Sequence, residues 1–325
     1  MFQKQDPDTG DVQWEILFPT SSNEALSEQE ARIPVKPIYP HQIRLHKGEP
    51  IDYSLDDRLG PYVNYRWAKF VWEKVNSGMP RPTPGPLVRL SKMPSIDASK
   101  MIDLHLAQTD YREHIATMFP EAKYPEKDYA SNLPLELVAN VLNSIAVLVT
   151  VDNHLIYSVR GKTASFDGTF SGYGTVIHSP EEVFEGGGSQ YLFDQVKGAV
   201  FNETGMAQTE NAEDLEQGLR VELGGFAYIH GMPDKGKWIQ GFNIPLWVAY
   251  TKLEKGYVDE IFAQFNDKRI RDSPELKYPG IGSVPLQPEA YHEFLKHPQL
   301  VPTVKPIWAY LGIMRFGDEI IPKEF

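Results

Sequence analysis

The 325-residue sequence contains no cysteine. Disulfide bonds, zinc–thiolate sites and thiol nucleophiles are therefore excluded for this chain. The sequence also has no apolar stretch of the ~18 residues that a membrane-spanning helix needs. Its first residues, MFQKQDPDTGDVQWEILF, lack the basic segment and apolar run of a secretory signal. Together these absences predict a soluble, cytoplasmic protein without a membrane partner.

Positive charge is also scarce. The 32 Lys and Arg residues stand against 44 Asp and Glu residues, and the formal net charge at pH 7 is −12. Nucleic acids and anionic membranes select basic surfaces, so this balance argues against both as partners. A small phosphorylated ligand needs only a local cation or a divalent metal and stays compatible with it. The sequence shows no H-E-x-x-H helix, no G-x-S-x-G elbow and no Walker loop.

Turn-forming residues are abundant. With 26 prolines and 25 glycines, the sequence predicts an α+β protein with many turns rather than a helical bundle. The strongest strand pattern is SIAVLVTVDNHLIYSVRG, where two apolar runs around Asp152 and Asn153 are typical of a β-hairpin. Further strands are predicted at 87–90, 172–178, 221–231, 242–253 and 305–316.

Helices are predicted where apolar residues recur at three- and four-residue spacing. The first begins near Asp57 and ends at Gly78. Its apolar stripe predicts one buried face, formed by Val63, Trp67, Phe70, Val71 and Val75. A short helix is predicted after the run DLHLAQTD, and further helices at 134–143, 189–204, 255–266 and 287–296. The helix at 189–204 is expected to pack on the sheet through Phe193, Val196 and Val200, which share one face.

The segment EGGGSQYLFDQVKGAVFNETGM, residues 185–206, follows the hairpin and precedes more strands. This order, with Val200, Glu203, Gly205 and Met206 in GAVFNETGM, resembles the Nudix hydrolase family over residues 140–252. The resemblance implies a Nudix-like α/β/α sandwich around a mixed sheet. The expected domains are an N-terminal subdomain at 1–135 packed on the core, the core at 136–252, and a C-terminal extension of helices and a strand at 253–325.

The family motif is G-x5-E-x7-R-E-U-x-E-E-x-G-U, where U is a bulky apolar residue. Its Arg-Glu pair falls here on Gly198 and Ala199, and the first of its adjacent glutamates falls on Asn202. In the family, glutamates four residues apart bind Mg²⁺, because residues i and i+4 lie above one another on a helix face. In this chain that face carries Gln195, Ala199 and Glu203.

The resemblance therefore implies a Mg²⁺ or Mn²⁺ site with an unusual ligand set. Glu203 is the family carboxylate that remains, and the amide of Asn202 lies beside it. A replacement carboxylate is expected from the loop before the helix. We expect Glu185 as the added metal ligand, and Glu182 together with Glu203 as catalytic carboxylates. The alternative for Glu182 and Glu185 is that they are solvated surface acids.

Two further features concern phosphate binding. The run Gly186, Gly187 and Gly188 would let a phosphate approach backbone N–H groups at a helix N-terminus. Arg160, at the end of the hairpin, occupies a place where family members often carry a basic residue near the phosphates. The alternatives are a flexible turn for the glycines and a solvated strand end for the arginine.

Three functions stay open. The first is a hydrolase of a nucleoside-diphosphate-linked substrate such as a nucleotide sugar, in which the metal polarises the diphosphate and activates water. The run LAQTDYREHIATM and the incomplete motif are similar in layout to divergent Nudix proteins that hydrolyse UDP-sugars. The second is a catalytically inactive Nudix-fold protein that binds a nucleotide or regulates in response to it. The third is a scaffold protein. The first two predict a nucleotide-linked small molecule as partner, and a homodimer is left open.

Overall fold

The computed structural model shows a mixed α/β architecture, in agreement with the predicted α+β class. It describes residues 2–5, 12–17, 37–97, 99, 101–119, 133–161, 168–174, 176–178, 180–230, 232–234, 237–239, 241–272, 280–301, 304–322 and 325. Two positions of the predicted strands, 175 and 231, lie outside these residues. Within the described part of the chain, no helix has the length and apolar character needed to cross a membrane.

The strands are, in chain order, β1 Phe2–Gln5, β2 Val12–Leu17, β3 Ile43–Lys47, β4 Pro86–Leu90, β5 Ser95–Ile96, β6 Ile102–Asp110, β7 Ala146–Val149, β8 His154–Val159, β9 Phe170–Ser171, β10 Arg220–Ile229, β11 Met232–Asp234, β12 Lys237–Ile239, β13 Phe242–Tyr250 and β14 Gly280–Pro285. The α-helices are α1 Leu59–Asn76, α2 Tyr111–Met118, α3 Gly188–Glu203, α4 Ala212–Gly218, α5 Lys255–Asp272, α6 Pro288–Leu295 and α7 Lys305–Phe316.

The main sheet has 8 strands in the order β1-β2-β10-β13-β7-β8-β14, with β9 also paired to β8. Strands β13 and β7 run parallel, and the other neighbouring strands are antiparallel. The main sheet is therefore mixed, with its parallel pair near the centre. A second sheet contains β3, β6 and β4, with β5 beside β6, and β11 pairs with β12 alone.

Side chains of the central strands are buried on both faces of the main sheet. In β7, Val147 and Val149 pack on the side of α6 and α7, whereas Ala146 and Leu148 pack on the side of α3. Consecutive side chains of a strand point to opposite faces, so a strand covered on both faces needs an uninterrupted apolar run. The run AVLV provides it, and three layers result: α6 and α7, the main sheet, and α3 with the second sheet.

Residues before 136 contribute to both sheets. Strand β2 pairs with β10, so β1 and β2 form one edge of the main sheet. The second sheet supplies Ile43, Val88 and Leu104 to the core beneath α3. The Ser189 hydroxyl also donates a hydrogen bond to the Pro40 carbonyl at 2.7 Å. The N-terminal part thus packs directly on the remainder, while the domain boundary at 135 stays a prediction.

Helix α1 departs from its predicted buried face at the C-terminal end. Val63 is buried, but the Val75 side chain is 47% exposed, so a buried stripe along the whole helix is wrong. Trp67 and Phe70 contact the ring of Tyr111 in α2, with centroid distances of 6.1 and 5.9 Å. Helix α2 has 8 residues and α1 has 18. The shorter helix therefore covers only part of the longer one.

The prediction of a strand at 305–316 is wrong, because these residues form helix α7. All residues from Pro306 to Gly312 are buried. A helix that is covered on all sides has no polar face, so its sequence shows no helical period. Pro306 lies in the first turn, where the fixed φ of proline suits a helix. That proline and the length of the run were the available signals for a helix.

The helix predicted at 134–143 is also wrong. Leu135–Leu137 forms a single 3₁₀ turn, and the chain then runs along β4. There the Leu90 N–H donates a hydrogen bond to the Asn140 carbonyl at 2.8 Å. Pairing with a neighbouring strand outweighs the local helical spacing, because propensity is a weak preference that tertiary contacts override.

A substitution at Gly224 tests the packing between β10 and α7. A Cβ atom at Gly224 would lie 1.8 Å from Cζ of Tyr310. We expect Gly224→Ala to lower the free energy of unfolding by about 1–3 kcal/mol, because the added methyl group must displace the ring or the strand. Urea unfolding followed by tryptophan fluorescence measures this change.

Gly198→Ala is the matched control. Gly198 lies inside α3, where an added Cβ would have no described atom within 4 Å apart from the backbone of its own helix. Alanine should therefore raise the free energy of unfolding by up to about 1 kcal/mol through helix propensity. If Gly224→Ala were as stable as Gly198→Ala, the close approach of β10 to α7 would be incorrect.

Candidate functional site

Helix α3 carries most of the segment that resembles the Nudix motif. A wide π-helical turn, Glu182–Gly187, leads into it. Phe193, Val196 and Val200 are buried, with Val196 completely inaccessible. The ring of Phe193 meets that of Trp247 in β13 edge to face, with centroids 4.9 Å apart. The predicted packing of this face on the main sheet is confirmed.

Glu203 lies in the last turn of α3 and is half-buried. Its Oε2 atom accepts a hydrogen bond from the Gly174 N–H at 2.7 Å. Gly174 has a φ of 144°, and a Cβ there would lie 2.4 Å from the Ser144 carbonyl oxygen. Only glycine allows this conformation and this close approach. Glu203 therefore joins the end of α3 to a segment that lies against the start of β7.

That segment is the strand predicted at 172–178. It makes β-bridges at single residues, Tyr173 with Ala146 and Val176 with Asn143. The hairpin before it is confirmed as β7 and β8. The tight approach to residues 144–146 fixes the path of this segment without a continuous ladder of backbone hydrogen bonds.

Of the other predicted site residues, Asn202 and Glu182 make local contacts. The Asn202 amide donates a hydrogen bond to the Gly198 carbonyl of its own helix at 2.8 Å. Glu182 accepts a hydrogen bond from the Tyr191 hydroxyl. Burial and this carboxylate together raise the pKa of Tyr191 to about 12. Glu185 is exposed. Each contact has a structural explanation that needs no ligand.

The predicted metal ligands are separated by the length of α3. The helix has 16 residues, so its ends lie about 24 Å apart at 1.5 Å per residue. Glu182 and Glu185 precede its first turn, and Glu203 is in its last. A shared cation would need metal–oxygen distances of about 2.0–2.6 Å, so the geometry does not support one ion held by Glu203 and Glu185. Across the described residues, no three His, Asp or Glu side chains form a group that could hold a metal ion.

The residues predicted to contact phosphate lie on two elements. Gly186 and Gly187 are exposed ahead of α3, Gly188 has a φ of 57°, and no side chain caps the helix N-terminus. The first N–H groups of any helix lack partners within the helix. Arg160 follows β8, and its Nη1 donates to the Ser171 hydroxyl of β9 at 3.4 Å. Two interpretations of the glycine turn therefore stand, a phosphate-binding loop and a flexible turn. Two also stand for Arg160, a phosphate-binding side chain and a solvated residue at a strand end.

A cleft that the sequence did not predict opens beyond the end of α3. It has a volume of about 570 Å³ and lies between the turn at 205–211 and α5. Its lining includes the acids Glu210 and Glu260, and no Lys or Arg is among the lining residues whose side chains the structure describes. The last carbonyl groups of α3 add negative partial charge. This cleft is therefore unsuited to a diphosphate, and no sequence pattern showed that α5 would lie opposite Glu210.

Comparison with known proteins does not identify a family. No protein-family model matches the chain, and no curated protein matches it. The Nudix resemblance therefore stays a prediction based on the residues quoted above.

The contact between Glu203 and Gly174 can be tested by stability. We expect Glu203→Ala to lower the free energy of unfolding by about 1–3 kcal/mol, because the Gly174 N–H loses its acceptor. Glu203→Gln keeps an oxygen at the same place and should lose less. Urea unfolding measures stability, and amide hydrogen exchange at Gly174 should be faster in the alanine variant.

Asn202→Ala is the control for this pair. Asn202 is the exposed neighbour of Glu203, and its removal should change stability by no more than about 0.5 kcal/mol. Equal stability of the Glu203→Ala and Asn202→Ala variants, with unchanged exchange at Gly174, would contradict a structural role for Glu203.

Proposed function

We propose that this chain is a Nudix-like protein that binds a nucleoside-diphosphate-linked small molecule, and that Glu203 has a structural role in it. The observation that carries this proposal is the hydrogen bond from the Gly174 N–H to Glu203 at 2.7 Å. Glu203 is the helix carboxylate that remains from the family motif. Through this hydrogen bond it joins α3 to the segment beside β7. Binding then depends on other parts of the molecule.

The arrangement of elements supports a Nudix-like core. A hairpin, a wide turn, α3 and the strands β10 and β13 follow one another along the chain. Strand β13 returns parallel to β7, so the strands after α3 join the hairpin in one sheet. Helices lie on both faces of this sheet. These features support the Nudix-like core that we propose.

We assign the phosphate groups of the ligand to the N-terminal end of α3. A helix N-terminus carries partial positive charge and favours anions. An added Cβ at Gly186 would have no other described atom within 4 Å, which leaves space for a ligand group beside this residue. Lys47 supplies a nearby cation, since its Nζ lies 5.6 Å from the ring centroid of Phe184 in the turn before α3.

A metal-dependent hydrolase is the second candidate. It is favoured by the half-exposure of Glu203 on the side of α3 that also carries Gln195 and Ala199. In this case Glu203 would supply one oxygen to Mg²⁺ or Mn²⁺. Water and substrate phosphates would complete the shell, as is common for Mg²⁺.

Gly186→Asp tests the phosphate position, with Gly186→Asn as a neutral control of nearly equal size. We expect the aspartate to weaken the binding of nucleoside diphosphates by at least about tenfold, or roughly 1.4 kcal/mol, through charge repulsion. The asparagine should change affinity by less than about threefold, or roughly 0.7 kcal/mol. Acidic residues near a helix N-terminus stabilise the helix, so the loss would not reflect unfolding. Isothermal titration with ADP, GDP, CDP and UDP measures these affinities, and equal losses in both variants would contradict the assignment.

Titrations in EDTA, Mg²⁺ and Mn²⁺ separate the two candidates. With Glu203 in a structural role, we expect nucleoside diphosphates to bind in EDTA and Glu203→Gln to keep the parent affinity. Chromatography of UDP-sugars and ADP-sugars after incubation measures cleavage. Metal-dependent cleavage that Glu203→Gln abolishes would support the hydrolase and overturn our proposal.

A further inference from the structure

Helix α1 has one buried face. Leu59, Tyr62 and Val63 are buried in its first turns, and further along the same side Phe70 contacts the ring of Tyr111 in α2. These α1 positions are separated by three, four or seven residues, so they lie on one side of the helix. The opposite side of α1 is exposed along its length.

The exposed side of α1 carries an apolar stripe, formed by Pro61, Tyr65, Ala68, Trp72 and Val75. These residues follow one another at alternating spacings of four and three, which is the apolar spacing of a helix that packs against another helix. Tyr65 is 41% exposed, Trp72 66% and Val75 47%. Scattered exposed apolar residues are normal, whereas a contiguous apolar patch marks an interaction surface. The stripe therefore has the pattern of a helix–helix contact.

The stripe is complementary to itself when two copies of α1 lie antiparallel. With Trp72 placed opposite Ala68 of a second copy, the largest side chain of the stripe meets the smallest. The same register, centred on position 70, places Tyr65 opposite Val75. A twofold axis at this position repeats both pairs, as in the isologous interface of a symmetric dimer.

The charges beside the stripe are complementary in the same register. Lys69 and Glu73 lie on one edge of the exposed side, with the Lys69 Nζ 4.0 Å from the Glu73 carboxylate. A twofold axis perpendicular to the two helices brings equal edges together. Lys69 then lies about two residues, or roughly 3 Å along the axis, from Glu73 of the second copy. A parallel pair would instead bring this edge against Asn64 and Val71, which carry no charge.

We propose that the exposed side of α1 is the interface of a homodimer, in which two α1 helices pack antiparallel around a twofold axis near position 70. Size and charge are both matched by a second copy of this chain in one register. Helix α1 has 18 residues and is about 27 Å long. One helix from each protomer makes a contact at the low end of interface sizes, so the dimer is weak and concentration-dependent.

Sedimentation equilibrium of the full chain tests this interface. At concentrations from about 1 to about 200 µM, which cover the affinities of small interfaces, the average mass should rise from that of one chain towards that of two. Trp72→Glu would bury a carboxylate between the helices and should raise the dimer dissociation constant at least about thirtyfold. Since Trp72 is exposed in the single chain, the variant should unfold at the same urea concentration as the parent.

Tyr257→Glu is the matched control. Tyr257 is an exposed aromatic residue of α5, with 42% exposure, and it does not belong to the stripe. This variant should dimerise as the parent does. An equal loss of dimer in both variants would indicate unspecific apolar association and would overturn the proposal.

Charge reversal tests the antiparallel arrangement. Lys69→Glu places two acids on each edge, and Glu73→Lys places two lysines there. Each variant alone should dimerise about three- to tenfold more weakly than the parent, because like charges meet across the twofold axis. An equimolar mixture pairs acids with lysines and should associate at least as tightly as the parent. A mixture that associates no better than either variant alone would contradict the antiparallel arrangement.

The remaining outcomes also decide between the proposals. A chain that stays monomeric at the highest concentration, or a dimer that Trp72→Glu leaves unchanged, overturns the α1 interface. The interface does not include α3, so binding of nucleoside diphosphates by Trp72→Glu would in that case leave the proposed function standing. A dimer that Trp72→Glu disrupts supports the interface even if no nucleoside diphosphate binds.

Discussion

The burial of strands β7 and β13 on both faces is the constraint on which the rest of the structure depends. Val147 and Val248 point towards α6 and α7, while Leu148 and Trp247 point towards α3. Buried backbone N–H and C=O groups must be paired, and each of these strands has a hydrogen-bonded neighbour on both sides. The two helical layers are needed because apolar side chains emerge from both faces. The N-terminal strands extend the same sheet at its edge.

Burial of the sheet on both faces determines which surfaces of α3 stay accessible to a ligand. Its buried side is committed to the main sheet through Phe193, Val196 and Val200, so chemistry is confined to the opposite side and to the two ends. An α-helix is a rigid rod, and 16 residues hold its two ends about 24 Å apart. The glycine turn at one end and Glu203 at the other therefore act separately. Residues that belong to one sequence motif can therefore lie far apart in space when a helix separates them.

The polar groups on the face covered by α3 have two different kinds of environment. Glu203 is paired with the Gly174 N–H, so its partial burial is compensated. Asn243 is buried without a partner among the described residues. A fold under selection for stability alone would favour an apolar residue at such a position.

The sequence by itself determined the mixed class, the hairpin, the strands β4, β10 and β13 and the buried face of α3, because alternation and helical spacing are local properties that side chains carry with them. The tertiary structure decided the helix at 305–316, whose burial on all sides removes the period, and the path of 134–143, which pairs with β4. It also decided the partner of Glu203 and the burial of Asn243. These depend on contacts between residues far apart in the chain, which no local pattern encodes.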